Sequence, residues 1–273
     1  MYEQHSKGGK GMLKGLKIAT LTASVLVLSV GLAQAETINL ATGNSGTATA
    51  ALGGTYQAQW IDMQSTGTGV IDSFLRVQSG GDEQGYNTSL GSPPMDALGG
   101  NFTKGIQLSA VPIVTLAGTQ YREFLLDINE NSPGGLLSLN QVQIFLSAAE
   151  APNNLAASGT PPILVFPGAT EVFRMSQAGN ADDIILDYNR NPGSGGGDMF
   201  LYVANSAFTG ASTQWVTLFS QFGEPGNPSD AGFEEWAVRT GTTPPPVPEP
   251  TSLILLGLGF LGVGVIARTR ARR

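Results

Sequence analysis

The strongest chemical signal in the sequence is a run of oxygen-bearing side chains. Asp187, Asn189 and Asn191 stand at alternate positions, and Asp198 follows eleven residues after Asp187. Hard cations such as Ca²⁺ collect oxygen ligands, and positions 1, 3, 5 and 12 of a loop are a spacing that supplies them. The fit is partial. Position 6 is Pro192, the glycine comes one residue late at Gly193, position 9 is Gly195, and Asp198 is shorter than the usual bidentate Glu. A second set, Asp127, Asn129 and Asn131, carries Ser138 at its twelfth position and so lacks the distal carboxylate. Calcium is the cofactor this spacing suggests, with the first loop the better match. The competing reading makes the same residues turn formers, because Asp and Asn side chains bond their own backbone.

Other chemistries are narrowed by what is missing. The chain has no Cys, and its single His is His5. Beyond the first residues, Ser-His-Asp and Cys-His catalysis and His- or Cys-ligated zinc are therefore excluded. A Ser-Lys pair would need Lys104, which has no supporting motif. Glu234-Glu235-Trp236 and Asp182-Asp183 supply carboxylates of the kind a glycosidase uses. Adjacent acids on a strand point to opposite faces, so a hydrolytic pair must come from two separate segments. Trp60, Trp215 and Trp236 are the only tryptophans; aromatic faces stack on sugar rings, but most tryptophans of a β fold belong to its core.

Charge separates the ends from the middle. Lys7, Lys10, Lys14 and Lys17 lie near the start, and Arg268, Arg270, Arg272 and Arg273 at the finish. Six basic residues remain between them, against twenty acidic ones from residue 36 onward, a balance near −14 where the whole chain has −7. Such a surface repels nucleic acid and anionic lipid and suits divalent cations.

The elements that must position these residues read as strands. Short apolar or alternating runs recur at 56–63, 71–78, 105–116, 121–129, 139–147, 171–176, 183–188, 199–205, 214–222 and 233–238. In 139–147, Val142, Ile144 and Leu146 alternate with Gln141 and Gln143, the period of a half-buried strand. Gly-rich connections such as 79–82 and 193–197 supply turns. No long 3.6-residue period appears outside the ends. The expected fold is all-β, a β-sandwich or jelly-roll-like body, flanked by an N-terminal signal helix and a single C-terminal transmembrane helix. The segments FLLDINEN at 124–131 and IILDYNRN at 184–191 match, and each leads through a Pro/Gly loop to a second strand. They predict two similar hairpins, an internal pseudo-repeat.

The ends carry addresses. Residues 18–32 are apolar, follow lysines, and lead to Ala33-Gln34-Ala35, the small-x-small pattern that signal peptidase accepts. The expected mature start is Glu36, with Met12 as an alternative site of initiation. At the other end, 242–250 reads TTPPPVPEP, a semi-rigid spacer. Residues 251–267 carry no charge and would span about 25 Å as a helix, at the lower limit for a bilayer. The arginine cluster that follows stays cytoplasmic by the positive-inside rule. The organisation is thus a signal peptide (1–35), a β-rich exported domain (36–243), a Pro-rich linker (244–250), a membrane span (251–267) and a basic tail (268–273).

Val247-Pro248-Glu249-Pro250, a short Gly- and Leu-rich span and a terminal arginine run together resemble the PEP-CTERM sorting domain. The resemblance covers about a tenth of the chain, and its specificity lies in three elements occurring in the required order. It implies recognition by exosortase, a membrane protease-transpeptidase, with Pro248, Glu249 and Pro250 as recognition residues and no catalytic role. It also implies a Gram-negative bacterium that makes exopolysaccharide or biofilm matrix, and a route from the inner membrane to the cell surface or extracellular matrix. The expected function is a non-enzymatic structural or exopolysaccharide-associated surface component. A carbohydrate-binding surface module and a carboxylate-dependent glycosidase are the alternatives. Signal peptidase and exosortase are the expected processing partners, with extracellular polysaccharide as a further partner and no nucleic acid.

Overall fold

A computed structural model describes residues 35–61, 71–130, 134–179, 182–193, 195–223, 226–230 and 232–240. The signal segment up to Gln34, the linker, the apolar run 251–267 and the arginine tail lie outside the described residues. So do both expected terminal helices, and no helix among the described residues is long and apolar enough to cross a membrane.

The chain begins with β1 (Thr37–Asn39), β2 (Ser45–Thr49), β3 (Thr55–Trp60), β4 (Ile71–Val77), β5 (Gly80–Gly81) and β6 (Glu83–Tyr86). It continues through β7 (Ile106–Gln107), β8 (Ile113–Leu116), β9 (Thr119–Asn129), β10 (Leu136–Ser147), β11 (Ala157–Ser158) and β12 (Ile163–Leu164). The last six are β13 (Thr170–Arg174), β14 (Asp183–Asp187), β15 (Met199–Ala204), β16 (Trp215–Phe222), β17 (Ser229–Asp230) and β18 (Phe233–Arg239).

Two seven-stranded sheets result. One has the order β1-β14-β10-β16-β6, with β13 also pairing β10 and β7 pairing β16. The other runs β2-β3-β15-β9-β18-β4, with β8 also pairing β9. One apolar core draws on both sheets: Leu139, Val142, Ile144, Phe173 and Leu218 from the first, Tyr56, Phe74, Phe124, Leu201 and Trp236 from the second. Burial of each such side chain contributes about 1.5–3 kcal/mol. Trp236 Nε1 donates to Ser220 Oγ at 3.0 Å across the layers, and Tyr56 meets Phe173 edge-on at 5.6 Å.

Three expectations need correction, two of them about single strands. The run 105–116 is not one strand: Pro112 has no backbone N–H to give a ladder, and a 3₁₀ turn at Leu108–Ala110 separates β7 from β8. The strand over 139–147 is not half-buried. Gln141 and Gln143 are buried, because a layer built on Phe145, Phe219, Leu164 and Phe166 covers the outer face of the first sheet. Each glutamine acts as a backbone surrogate there. Gln143 Oε1 accepts from Leu164 N at 2.7 Å, and Gln141 Oε1 accepts from Ser176 N at 3.0 Å.

The matched segments are not hairpins. β9 and β10 lie in different sheets, as do β14 and β15, so each unit is an arch that crosses the sandwich. The arches pair with one another: β9 with β15 (Leu126↔Met199) and β10 with β14 (Leu136↔Asp187). Each Asp-x-Asn ending therefore lies against the Gly-rich loop of the other arch.

Candidate functional site

Asp127 closes strand β9 on the face that carries Leu125, and it is buried. Its Oδ2 accepts from Gly195 N at 2.6 Å and its Oδ1 from Gly197 N at 3.2 Å, so it clamps the loop of the second arch. Asp198 follows that loop and turns back toward β9, where its Oδ2 accepts from Ile128 N at 2.8 Å. Its Oδ1 is buried without a hydrogen bond, and its carboxyl lies beside the Asn191 side chain and the Asp127 carboxyl. Burial first, and then the Asp127 charge, push Asp198 well above the usual carboxylate range. Burial raises Asp127 as well, and two neighbouring buried carboxyls resist ionising together. Glu235 stands opposite Asp127 in the ladder and is paired with Arg76. The Arg76 guanidinium is stacked between Phe102 and Phe233, 3.4 and 4.1 Å from the ring centres.

The four residues with calcium-loop spacing do not converge. Asp187 caps its own 3₁₀ turn, its Oδ1 accepting from Asn189 N at 2.9 Å and Asn189 Nδ2 at 3.0 Å. Asn191 donates from Nδ2 to Gly197 O at 3.0 Å. Asp198 is committed to β9. In the second set Asp127 serves Gly195 and Gly197, Asn129 lies in the ladder opposite Phe233, and Asn131 is outside the described residues. What the structure joins instead is one acid from each set, Asp127 and Asp198. Among the described residues no group of three His, Cys, Asp or Glu could hold a metal ion.

A second acidic corner was not visible in the sequence. Glu234 lies between Val77 and Ile128 in the ladder, so it faces the core, and both its carboxyl oxygens are buried without partners. Glu83 is two residues from Gly85, where an added β-carbon would approach Val77 Cγ1 to 2.7 Å, and it lies within electrostatic reach of Glu130. Glu83 Oε2 accepts from Ser79 N at 2.7 Å and Glu130 Oε2 from Asp230 N at 2.8 Å, while Oε1 of each has no partner. Burial pushes Glu83 up to about 8 and Glu130 up to about 7, with mutual repulsion adding to Glu83. The backbone here is tightly packed. Gly223 has φ +102°, and a β-carbon on it would fall 2.2 Å from Gly81 O.

The residues considered for sugar chemistry are engaged in the fold. Trp236 is core, and the Arg190 guanidinium covers Trp60 at 3.9 Å. Trp215 is half-buried at the start of β16. Glu235 pairs with Arg76 while Glu234 faces the core, on opposite sides of β18 as alternation requires. An open groove of about 380 Å³ runs beside Leu52, Gly53, Glu171, Val172, Ser206 and Thr209. Glu171 is the one carboxylate lining it, already bonded to Arg174 and Gln143. A glycosidase pair needs two carboxylates across one cleft, and this groove presents one.

Of the processing residues, Ala33 lies outside the described residues, and so do Pro248, Glu249, Pro250 and the four terminal arginines. Ala35 is exposed. Among the described residues Glu36 is the first fixed to the body: its N donates to Asp182 Oδ1 at 2.8 Å, its Oε2 accepts from Thr49 N at 2.9 Å, and its carbonyl accepts from Asp183 N at 3.0 Å. Residues 246–273 match the PEP-CTERM protein-sorting motif. No curated protein and no solved structure matches the chain.

Proposed function

From the premise that this chain carries a PEP-CTERM protein-sorting motif, which implies an exported protein processed by an exosortase-type system in a Gram-negative bacterium, we propose that it is a non-enzymatic surface or matrix component associated with exopolysaccharide. The motif carries the reading. Signal peptidase removes residues 1–35 after Ala33-Gln34-Ala35. The 251–267 span then holds the chain in the inner membrane, with Arg268, Arg270, Arg272 and Arg273 on the cytoplasmic side. Exosortase reads Pro248, Glu249 and Pro250 and passes the 36–243 domain to the cell surface or extracellular matrix. The acidic balance of the body and the engagement of its carboxylates in clamps and ion pairs support a structural role.

The test separates recognition from insertion. Glu249→Ala leaves the apolar span intact, so the variant should be exported yet remain in the inner membrane at full length. Fractionation in a host with exosortase checks this, and normal maturation of the variant would remove Glu249 from the recognised motif.

A further inference from the structure

The Glu36 nitrogen is placed where a charged amine would find a partner. Asp182 is 5 % exposed and held in place, its own N donating to Ser176 Oγ at 3.0 Å. Its Oδ1 receives the Glu36 N–H at 2.8 Å. Asp183 and the Glu36 side chain bear on the same spot, and the buried Tyr56 hydroxyl feels all three carboxyls. The four ion pairs among the described residues lie elsewhere, at Glu235, Asp72, Glu171 and Glu123. In the uncut chain the Glu36 nitrogen is a neutral amide, so this acidic group has a donor but no cation.

We propose that cleavage of the Ala35–Glu36 bond turns the Glu36 nitrogen into an α-ammonium group that Asp182 binds as an ion pair, so that maturation itself fastens β1 to the body. The inference rests on the cleavage reading above. Hydrolysis adds one water: the Ala35 carbonyl leaves with the departing segment as a carboxylate, and the freed Glu36 amine takes up the proton. The donor direction already exists, so the new charge needs no rearrangement, and it adds the attraction between opposite charges to a bond that the Asp182 carboxylate already makes. β1 gains most because it is a three-residue edge strand joined to the sheet only through β14, in parallel register Thr37↔Asp183.

The experiment uses chain matured in the cell and purified from the envelope. Mass spectrometry of the amino terminus comes first. The α-amine is then acetylated near pH 6.5, which keeps an N–H donor but removes the charge, and melting is compared with untreated protein and with Asp182→Asn given the same treatment. Acetylation should lower the Tm of the native protein by about 2–4 °C and leave Asp182→Asn unchanged, which also controls for reaction at Lys104. The native gap should hold below the ordinary α-amine range near 7.7–8.0 and close as pH rises through the higher value that Asp182, Asp183 and the Glu36 carboxylate impose on it, Tyr56 staying neutral because burial pushes its hydroxyl up. This pH series decides the matter without the variant if Asp182→Asn does not fold. A first residue other than Glu36 overturns the cleavage reading together with this one. Glu36 at the terminus with no acetylation effect, or with equal effects in both proteins, overturns the ion pair alone.

Discussion

The two arches carry nearly the same residues and use them in opposite ways. FLLDINEN at 124–131 turns its acids inward: Asp127 is buried and clamps Gly195 and Gly197, and Glu130 is buried with an orphan oxygen. IILDYNRN at 184–191 ends at the surface: Asp187 is half-buried and caps its own turn. Arg190, at the position matching Glu130, bonds Leu40 O, Gly43 O and Asn44 Oδ1 while covering Trp60. Both acids still lie beside the partner loop, since a β-carbon on Gly135 would stand 2.9 Å from Asp187 Oδ1. A shared motif thus fixes the turn, and the neighbouring strand decides whether the acid becomes a buried clamp or a surface cap.

The largest effect should come from the interior acids. Glu83 and Glu130 hold their protons up to about 8 and 7, whereas the unfolded chain releases them near 4.5. The native state binds more protons between those values, so stability falls as pH rises from about 5 to 8. At about 1.4 kcal/mol per unit, the rise from 4.5 to about 8 means that Glu83 alone destabilises the fold at pH 9 by on the order of 5 kcal/mol. Glu83→Gln should flatten the pH profile and raise stability at pH 9; an unchanged slope in urea titrations across that range would contradict the assignment. Next comes Asp127→Ala, which strands two backbone N–H groups and should cost about 3 kcal/mol. Asp187→Ala removes only a turn cap and should cost about 0.5–1 kcal/mol. Equal losses by calorimetry would erase the contrast between the arches. Smallest of all is the response to metal: with ligands that do not converge, millimolar Ca²⁺ and chelator should leave the melting curve where it was, and a Ca²⁺-dependent rise abolished by Asp187→Ala would restore the loop as a site.

Much of the sandwich was legible because its long strands alternate. β9, β10, β15, β16 and β18 were marked by apolar and β-branched runs, and the sheet-forming tendency followed. β1, β2 and β6 were missed because Thr-Ile-Asn, Ser-Gly-Thr-Ala-Thr and Glu-Gln-Gly-Tyr carry too little apolar periodicity to stand out. They are strands because the long ones offer them edges. The hairpin reading of the arches failed for a related reason: a Pro/Gly loop fixes a reversal of direction but not whether the next strand joins the same sheet. The site residues were the least legible. Asp127 meets Gly197 across 70 positions and Glu36 meets Asp182 across 146, and no local spacing encodes such meetings. The sorting motif was fully legible because it is read as a linear sequence.

That contrast between a folded body and a linear address frames the decisive test. Residues 246–273 grafted onto an unrelated exported reporter, in a host with exosortase, should cause the reporter to be cut and released from the inner membrane, and a Glu249→Ala graft should leave it there uncut. A reporter retained at full length with the native graft, in cells that process the native chain, would contradict the claim that the tail alone carries the address.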